Sequence, residues 1–269
     1  MMRVLITGAG SGIGLALARE YARRGHDLVL LDIDEDAVSK AAGDLRSGGA
    51  GASAFKCDVG DYQEVWEVAE RILRESGPID VLVNNAGVAF MKEFKDTTLG
   101  EWERVMGVNL WGPIYVTKAF LPSMLARRSG HIVNISSMQA YFIPPGWSVY
   151  GVTKYGVSGL SEALRYELRP YNIKLTCVYP AIINTPFYDF LASGTPLLRT
   201  ARTLIRRGVG TPPEKLATLV VNGVEKGKKR VIHHPVGKGV YYLRPLITPL
   251  LDLAQRLIAW LACEGPPRG

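Results

Sequence analysis

The stretch Arg3-Val-Leu-Ile-Thr7-Gly8-Ala-Gly10-Ser-Gly12-Ile-Gly14 decides the architecture. Its first five residues are a short apolar run of β-formers. Four glycines follow within seven residues, and Leu15 to Arg24 is a strong helix former with Gly25 as its stop signal. Strand, glycine-rich turn and helix together aim backbone N–H groups and a helix N-terminus at a phosphate. The next strand-like run, Asp27-Leu-Val-Leu-Leu-Asp32, ends in a carboxylate eighteen residues beyond Gly14. That is the position of the ribose-binding acid in a βαβ dinucleotide site. The alternative is a tight turn with no ligand and Asp32 as a solvated strand end; turn, context and acid together favour the dinucleotide. Asp32 also selects between dinucleotides, because a carboxylate accepts from a free 2′-hydroxyl but repels a 2′-phosphate. Two unit charges ~4 Å apart interact by ~4 kcal/mol at an effective dielectric of 20. Ser11 and Ile33 supply no cation beside this acid, so NAD is expected rather than NADP.

Working outward, strand-like runs fall near residues 3–7, 27–32, 52–57, 80–84, 131–136, 173–179 and 230–233, with helix-like stretches between them. Several are continuous apolar runs, as strands covered by helices on both faces are. No linker, repeat or low-complexity tract interrupts the alternation, so a single α/β domain over residues 1–240 is expected, followed by an extension over 241–269. Within this frame Tyr150-Gly-Val-Thr-Lys154 places a phenol and an ammonium one helical turn apart, and Ser137 lies thirteen residues before the tyrosine. A neighbouring cation favours the phenolate, which would bring a group that normally titrates near pH ~10 into use at neutral pH.

The glycine pattern is Thr7-Gly8-x-x-x-Gly12-x-Gly14, wider than G-x-G-x-x-G, and on this spacing the chain resembles the short-chain dehydrogenase/reductase family over roughly residues 3 to 235. Further motifs stand in that family's order: Cys57-Asp58-Val59, Asn84-Asn85-Ala86-Gly87, Val108-Asn109-Leu110, the strand-like run ending at Ser137, and Pro180-Ala-Ile-Ile-Asn-Thr185. Ala181 replaces a glycine of the family pattern, which leaves Thr185 in place. The resemblance implies a Rossmann-like, doubly wound, seven-stranded parallel sheet. It also implies catalytic roles for Asn109, Ser137, Tyr150 and Lys154. Tyr150 would be general acid/base, Lys154 would hold the nicotinamide ribose, Ser137 would bond the substrate oxygen, and Asn109 would anchor a water leading from Lys154 to solvent. Ser136 is the alternative to Ser137. The implied cofactor contacts are Gly8, Ser11, Gly12, Ile13, Gly14, Asp32, Asp58, Val59, Asn85, Ala86, Gly87, Tyr150, Lys154, Pro180, Ile183 and Thr185. A homodimer or homotetramer through helices around 101–127 and 148–170 is implied by the same analogy.

Cys57, Cys177 and Cys263 are dispersed, and no Cys or His cluster has metal-ligand spacing, so no metal is expected; His233-His234 is taken as a strand end. With Arg3 already opening the first strand, no cleavable leader is expected and the location is expected to be cytoplasmic. Residues 1–198 carry a net charge of −2 and residues 199–269 a net charge of +9. The positive charge is confined to the tail and is not interleaved with aromatics along a recognition helix, which argues against nucleic acid.

Residues 186–213 form a long connection expected to act as a substrate lid. Phe187, Tyr188, Phe190, Leu191, Leu197 and Leu198 would give it an apolar inner face. Met138, Tyr141, Phe142 and Trp147 are candidates for the opposite wall, with Phe90, Met91 and Phe94 as further ones. The alternative is ordinary core or subunit contact. A bulky lipophilic secondary alcohol or ketone is the expected substrate class. Near the C-terminus, Thr248 and Pro249 can open an amphipathic helix too short and polar to span a bilayer. It is expected to pack on its own domain or a partner subunit, or to lie on an anionic membrane surface. Two other function classes remain open at this level: a non-catalytic dinucleotide sensor, and an epimerase or dehydratase with bound NAD.

Overall fold

The computed structural model describes residues 1–193 and 196–262. Seven strands form one all-parallel sheet: β1 (Arg3–Thr7), β2 (Asp27–Asp32), β3 (Ala52–Lys56), β4 (Val81–Asn84), β5 (Gly130–Ile135), β6 (Ile173–Tyr179) and β7 (Arg230–Ile232). Their order is β3-β2-β1-β4-β5-β6-β7. β1 sits at the reversal of strand order, pairing Val4 with Leu28 on one side and with Val81 on the other. In such a sheet the crevice beyond the carboxyl ends at that point receives ligands.

The two-residue period of β1 feeds two cores. Val4 and Ile6 face one side, under α1 (Gly12–Arg23), α2 (Glu35–Ser47) and α8 (Pro213–Glu225), with Leu17, Tyr21, Val38 and Val220. Leu5 faces the other side, under α3 (Tyr62–Glu75) and α5 (Gly112–Arg127), with Val65, Ile72, Val116 and Phe120. Every one of these eleven side chains is buried. The remaining helices are α4 (Leu99–Met106), α6 (Ser148–Glu167), α7 (Pro196–Leu204) and α9 (Pro235–Ala262).

Residues 186–213 are not an irregular loop. Pro186–Ser193 forms 3₁₀ turns, α7 follows, and a π-helical turn over Ile205–Val209 leads into α8. The segment is closed at its base, where Asn184 N–H donates to Thr211 O at 2.9 Å and Thr211 N–H donates to Ile182 O at 3.0 Å.

The C-terminal helix departs from expectation. It starts at Pro235, so Thr248 is not its N-cap and residue 241 is not a boundary between elements. Thr248 Oγ1 instead donates to Arg244 O within the helix at 2.7 Å. Pro249 removes one helical N–H. Tertiary packing outweighs this loss: the Tyr241 ring lies 5.3 Å from Tyr141 and 5.6 Å from Tyr179 between centroids. Anchored there, the helix continues through both Pro245 and Pro249 and packs on its own domain. Cys263 and the side chains of Leu197, Leu198 and Trp260 lie outside the described residues.

Candidate active site

A cleft of about 420 Å3 opens at the carboxyl ends of the central strands. Gly8, Ser11, Gly12, Ile13, Asp32, Asp58, Val59, Asn85, Ala86, Gly87, Ser137, Tyr150, Lys154, Pro180, Ile183 and Thr185 all lie on its wall. Gly14 and Asn109 do not. Gly14 instead makes the turn possible, because a Cβ there would stand 2.0 Å from Gly8 O. Gly8 and Gly12 have φ of +63° and +54°, a left-handed conformation that side chains strain. The turn is clamped from β4: Asn85 Nδ2 donates to Thr7 O and Gly8 O at 2.9 and 3.1 Å. The Thr7 hydroxyl accepts from the N–H groups of Asn85 and Ala86 at 2.9 and 3.0 Å. The first turn of α1 faces the cleft with no side chain capping it, so its N–H groups are free to receive phosphate oxygens. A dinucleotide fits this cradle.

The Asp32 carboxylate is held at the rim, accepting from Gly10 N–H at 2.8 Å and Asp34 N–H at 3.1 Å. Asp58 Oδ1 accepts from Gly60 N–H at 2.8 Å, and because β3 pairs Lys56 with Asp32 both carboxylates stand at the same end of the cleft.

On the far wall Ser137 and Ser136 divide their work. Ser136 Oγ donates to Lys154 O at 2.9 Å and is buried, so it ties β5 to α6. Ser137 faces the cleft, accepts Gln139 N–H at 3.1 Å and is hydrogen-bonded to the Tyr150 phenol. Lys154 is 4% exposed; its Nζ donates to Ile135 O at 2.9 Å and lies 5.5 Å from the Tyr150 ring centroid. Burial pushes this amine down to about 8. Burial also raises Tyr150, the nearby Tyr188 adds to that, and the bond from Ser137 works against it. The expectation that Lys154 makes the phenol more acidic is therefore corrected. The ammonium stands over the ring, and desolvation dominates.

Asn109 is buried in a π-helical turn spanning Gly107–Trp111. Its Oδ1 accepts Val88 N–H at 2.8 Å, and its Nδ2 donates to Val88 O at 2.9 Å and Thr153 Oγ1 at 3.3 Å. This amide holds the segment after Gly87. A π turn inside a helical segment has no period of its own, so it leaves no mark in the spacing of residues.

The 186–213 segment brings aromatic rings onto the tyrosine. Phe187 lies 5.6 Å from Tyr150 and 6.2 Å from Phe190, and Trp147 lies 5.6 Å from both Tyr150 and Phe190. Tyr188 also lines the cleft. Met138 and Tyr141 do not; they pack with Tyr179 and Tyr241. Phe94 is 72% exposed, turned away beside Trp102. Cleft residues that sequence reasoning missed include Val88, Val108 and Arg104. A single arginine on an amphipathic helix such as α4 carries no motif, so nothing in the sequence singled it out.

Comparison with known proteins agrees with this geometry. The profile of short chain dehydrogenase matches residues 2–194. The chain belongs to the short-chain dehydrogenase/reductase family and is an NAD(P)-dependent oxidoreductase of that kind. It is 37% identical over 259 residues to the SadH protein of Mycobacterium tuberculosis, covering 95% of this chain and 93% of that one. It is also 37% identical over 189 residues to oxidoreductase UcpA of Salmonella typhimurium, covering 70% and 72%. Among solved structures it resembles a short chain dehydrogenase/reductase from Burkholderia phymatum in complex with NAD, with TM-score 0.81, 27% identity and coverage of 100% and 98%. A short-chain dehydrogenase from Sphingobium yanoikuyae in complex with NADPH gives TM-score 0.77 and 29% identity, with full coverage of both chains.

The buried amine has a consequence for stability. Its folded pKa lies below the value of 10.5 for an exposed lysine, so the unfolded chain binds the extra proton between those values and stability falls as pH drops through that window. Without dinucleotide, Lys154→Met should therefore melt higher than the wild type at pH 7. The gain is limited to roughly 3 kcal/mol and reduced by loss of the bond to Ile135 O. Denaturant unfolding at pH 7 and above pH ~10.5 should show the gain at the lower pH only. An equal effect at both would mean the amine is not the source.

Proposed function

We propose that the protein is an NAD-dependent oxidoreductase. It transfers hydride between nicotinamide and a secondary alcohol or ketone that is bulky and apolar, with Tyr150 as general acid/base. The observation that carries this reading is the convergence of Ser137, Tyr150 and Lys154 on one wall of a cleft whose other end holds the glycine cradle and Asp32. Gly8, Ser11, Gly12 and Ile13 would hold the pyrophosphate. Asp32 would accept from the adenosine ribose, with Asp58 and Val59 beside the adenine. Asn85, Ala86, Gly87, Pro180, Ile183 and Thr185 would flank the nicotinamide half. When bound, the dinucleotide supplies or accepts the hydride.

The chain's own residues handle the proton. Tyr150, raised by burial, carries its proton at neutral pH and gives it to a substrate oxygen on reduction; on oxidation it takes the alcohol proton. Ser137 donates to the same oxygen and stabilises the charge that gathers there. Lys154 Nζ, fixed on Ile135 O, would meet the ribose hydroxyls beside the phenol. Asn109 acts as a positioning residue, keeping Val88 against the cleft. Phe187, Trp147 and Phe190 exclude water and favour an apolar substrate. The outward faces of α6 and the turn before α5 carry exposed Trp111 and Val152, which supports self-association there.

Turnover should be followed by NADH absorbance with a panel of secondary alcohols. Bulky apolar alcohols should give the higher kcat/KM, and better turnover of short polar sugars would overturn the substrate class. Tyr150→Phe should lower kcat by about 10²–10⁴-fold while dinucleotide affinity survives. An unimpaired variant would displace Tyr150 from its role. Asp32→Ala should raise the NADP-to-NAD ratio of kcat/KM by roughly tenfold or more, since it removes like-charge repulsion at the 2′-phosphate. An unchanged ratio would remove Asp32 as the selector.

A further inference from the structure

Among the described residues nothing covers the outward face of α9. Leu246, Leu250, Leu253 and Leu257 recur at intervals of four, three and four residues and are 57–80% exposed. With Tyr242 and Leu243 they cover roughly 100° of the helix circumference. The residues that dock α9 lie on the opposite side. Gly237 lies against Met138 and Tyr141, Tyr241 packs on Tyr179, Arg244 bonds the Tyr155 hydroxyl, and Gln255 Nε2 donates to Ile143 O at 3.0 Å. The leucines are thus left outside a helix already seated on the domain.

The same face starts in a second feature. Lys238 and Tyr242, one turn apart at its N-terminal end, line a surface pocket of about 360 Å3 with Leu219, Lys228, Arg230, Val231 and Ile232. Three cations and no carboxylate line this pocket. Arg230 lies 3.7 Å from Glu162 and over the Tyr241 ring, so it is partly engaged. Residues 226–262 hold seven Lys or Arg against the single acid Asp252.

We infer that α9 and the Lys228/Arg230/Lys238 pocket form one surface that docks on an anionic phospholipid membrane, the pocket receiving the lipid phosphate and the leucine ridge lying among the acyl chains. A helix with an apolar face bordered by cations lies in the membrane interface when its charges meet anionic lipid. Among the described residues no helix is long and apolar enough to cross a bilayer, so the geometry is that of lying on the surface. Charge decides against a second copy as the occupant. Two such faces laid together would bring the Lys228, Arg230 and Lys238 groups of both copies to one interface, where residues 226–262 of each copy supply only Asp252 as a counter-charge. The surface is separate from the cleft, and this inference does not depend on the substrate or on the choice of dinucleotide.

The test is co-sedimentation of the full chain with vesicles of phosphatidylcholine alone and of phosphatidylcholine mixed with phosphatidylserine, with sedimentation velocity of the lipid-free protein alongside. The chain should pellet with the mixed vesicles only, and binding should weaken as salt screens the charges. Leu246→Ser/Leu250→Ser/Leu253→Ser should reduce the bound fraction. Lys228→Gln/Lys238→Gln should reduce vesicle affinity by about tenfold or more, since each cation near an anionic surface contributes comparably. Both variants alter exposed side chains, so dinucleotide affinity should equal that of the wild type, which verifies folding. Equal pelleting with both vesicle types, or with neither, overturns the inference. A dimer lost in the leucine variant, without vesicle binding by the wild type, assigns the ridge to a second copy and overturns it equally. Mixed-vesicle binding that survives the lysine variant removes the pocket from the surface.

Discussion

The amine of Lys154 and its own backbone carbonyl are both tied to the end of β5, and the arrangement of the far wall follows from that lacing. Nζ donates to Ile135 O while Ser136 Oγ donates to Lys154 O, each at 2.9 Å. Two short bonds between one helical residue and two consecutive strand residues fix how far α6 can slide along the sheet. Ser137, the next residue in the chain, and Tyr150, one helical turn before the lysine, are then brought face to face. Leaving a buried ammonium without its acceptor would cost several kcal/mol. The register of serine against tyrosine is thus protected by a penalty larger than a single neutral hydrogen bond would impose.

The near wall is held by a different device. Beyond the last ladder bond of each strand the backbone runs out of partners, and buried N–H and C=O groups need replacements. Thr7 and Asn85 provide them between β1 and β4. Deeper in the sheet Asn84 Nδ2 donates to Asn134 Oδ1 at 2.8 Å and to Thr117 Oγ1 at 3.1 Å, and Asn134 Nδ2 donates to Ser161 Oγ at 2.9 Å. Asn84 and Asn134 are register partners on β4 and β5, so amide side chains stitch neighbouring strands just below the cleft floor. Both walls therefore inherit their positions from polar side chains that tie strand to strand and strand to helix.

Much of this was legible because period and punctuation act locally. The glycine turn, the seven strands to within a residue or so, and the cleft positions of Asp32, Ser137, Tyr150 and Lys154 could be read from spacing, with family likeness adding Asp58, Asn85 and Thr185. What could not be read depended on tertiary packing or on solvation. Thr248-Pro249 has the chemistry of a helix start, yet the Tyr241 contacts carry a longer helix through it. Met138 and Tyr141 lie between serine and tyrosine in sequence, but the 3₁₀ turn over Met138–Ala140 rotates them onto β6 and α9. The Tyr150 shift reverses sign because the sequence shows that a cation is near but not that it sits over the ring in a dry site.

That dryness bears on selectivity. The Tyr150 ring packs against Phe187, itself in edge contact with Tyr188 at 5.2 Å, and the segment behind them is braced by Asp189, which bonds Arg202 at 3.0 Å and Arg206 at 2.6 Å. Those ion pairs face solvent and contribute little individually. The segment's position beside the tyrosine therefore rests chiefly on ring contacts and on the hydrogen-bonded base at Asn184 and Thr211. A ligand reaching the phenol lies against these rings. Carbon surface there suits an apolar ligand, whereas a polyhydroxylated one would be stripped of its hydration with few groups to bond it. The ring contacts thus support the proposed preference for apolar alcohols.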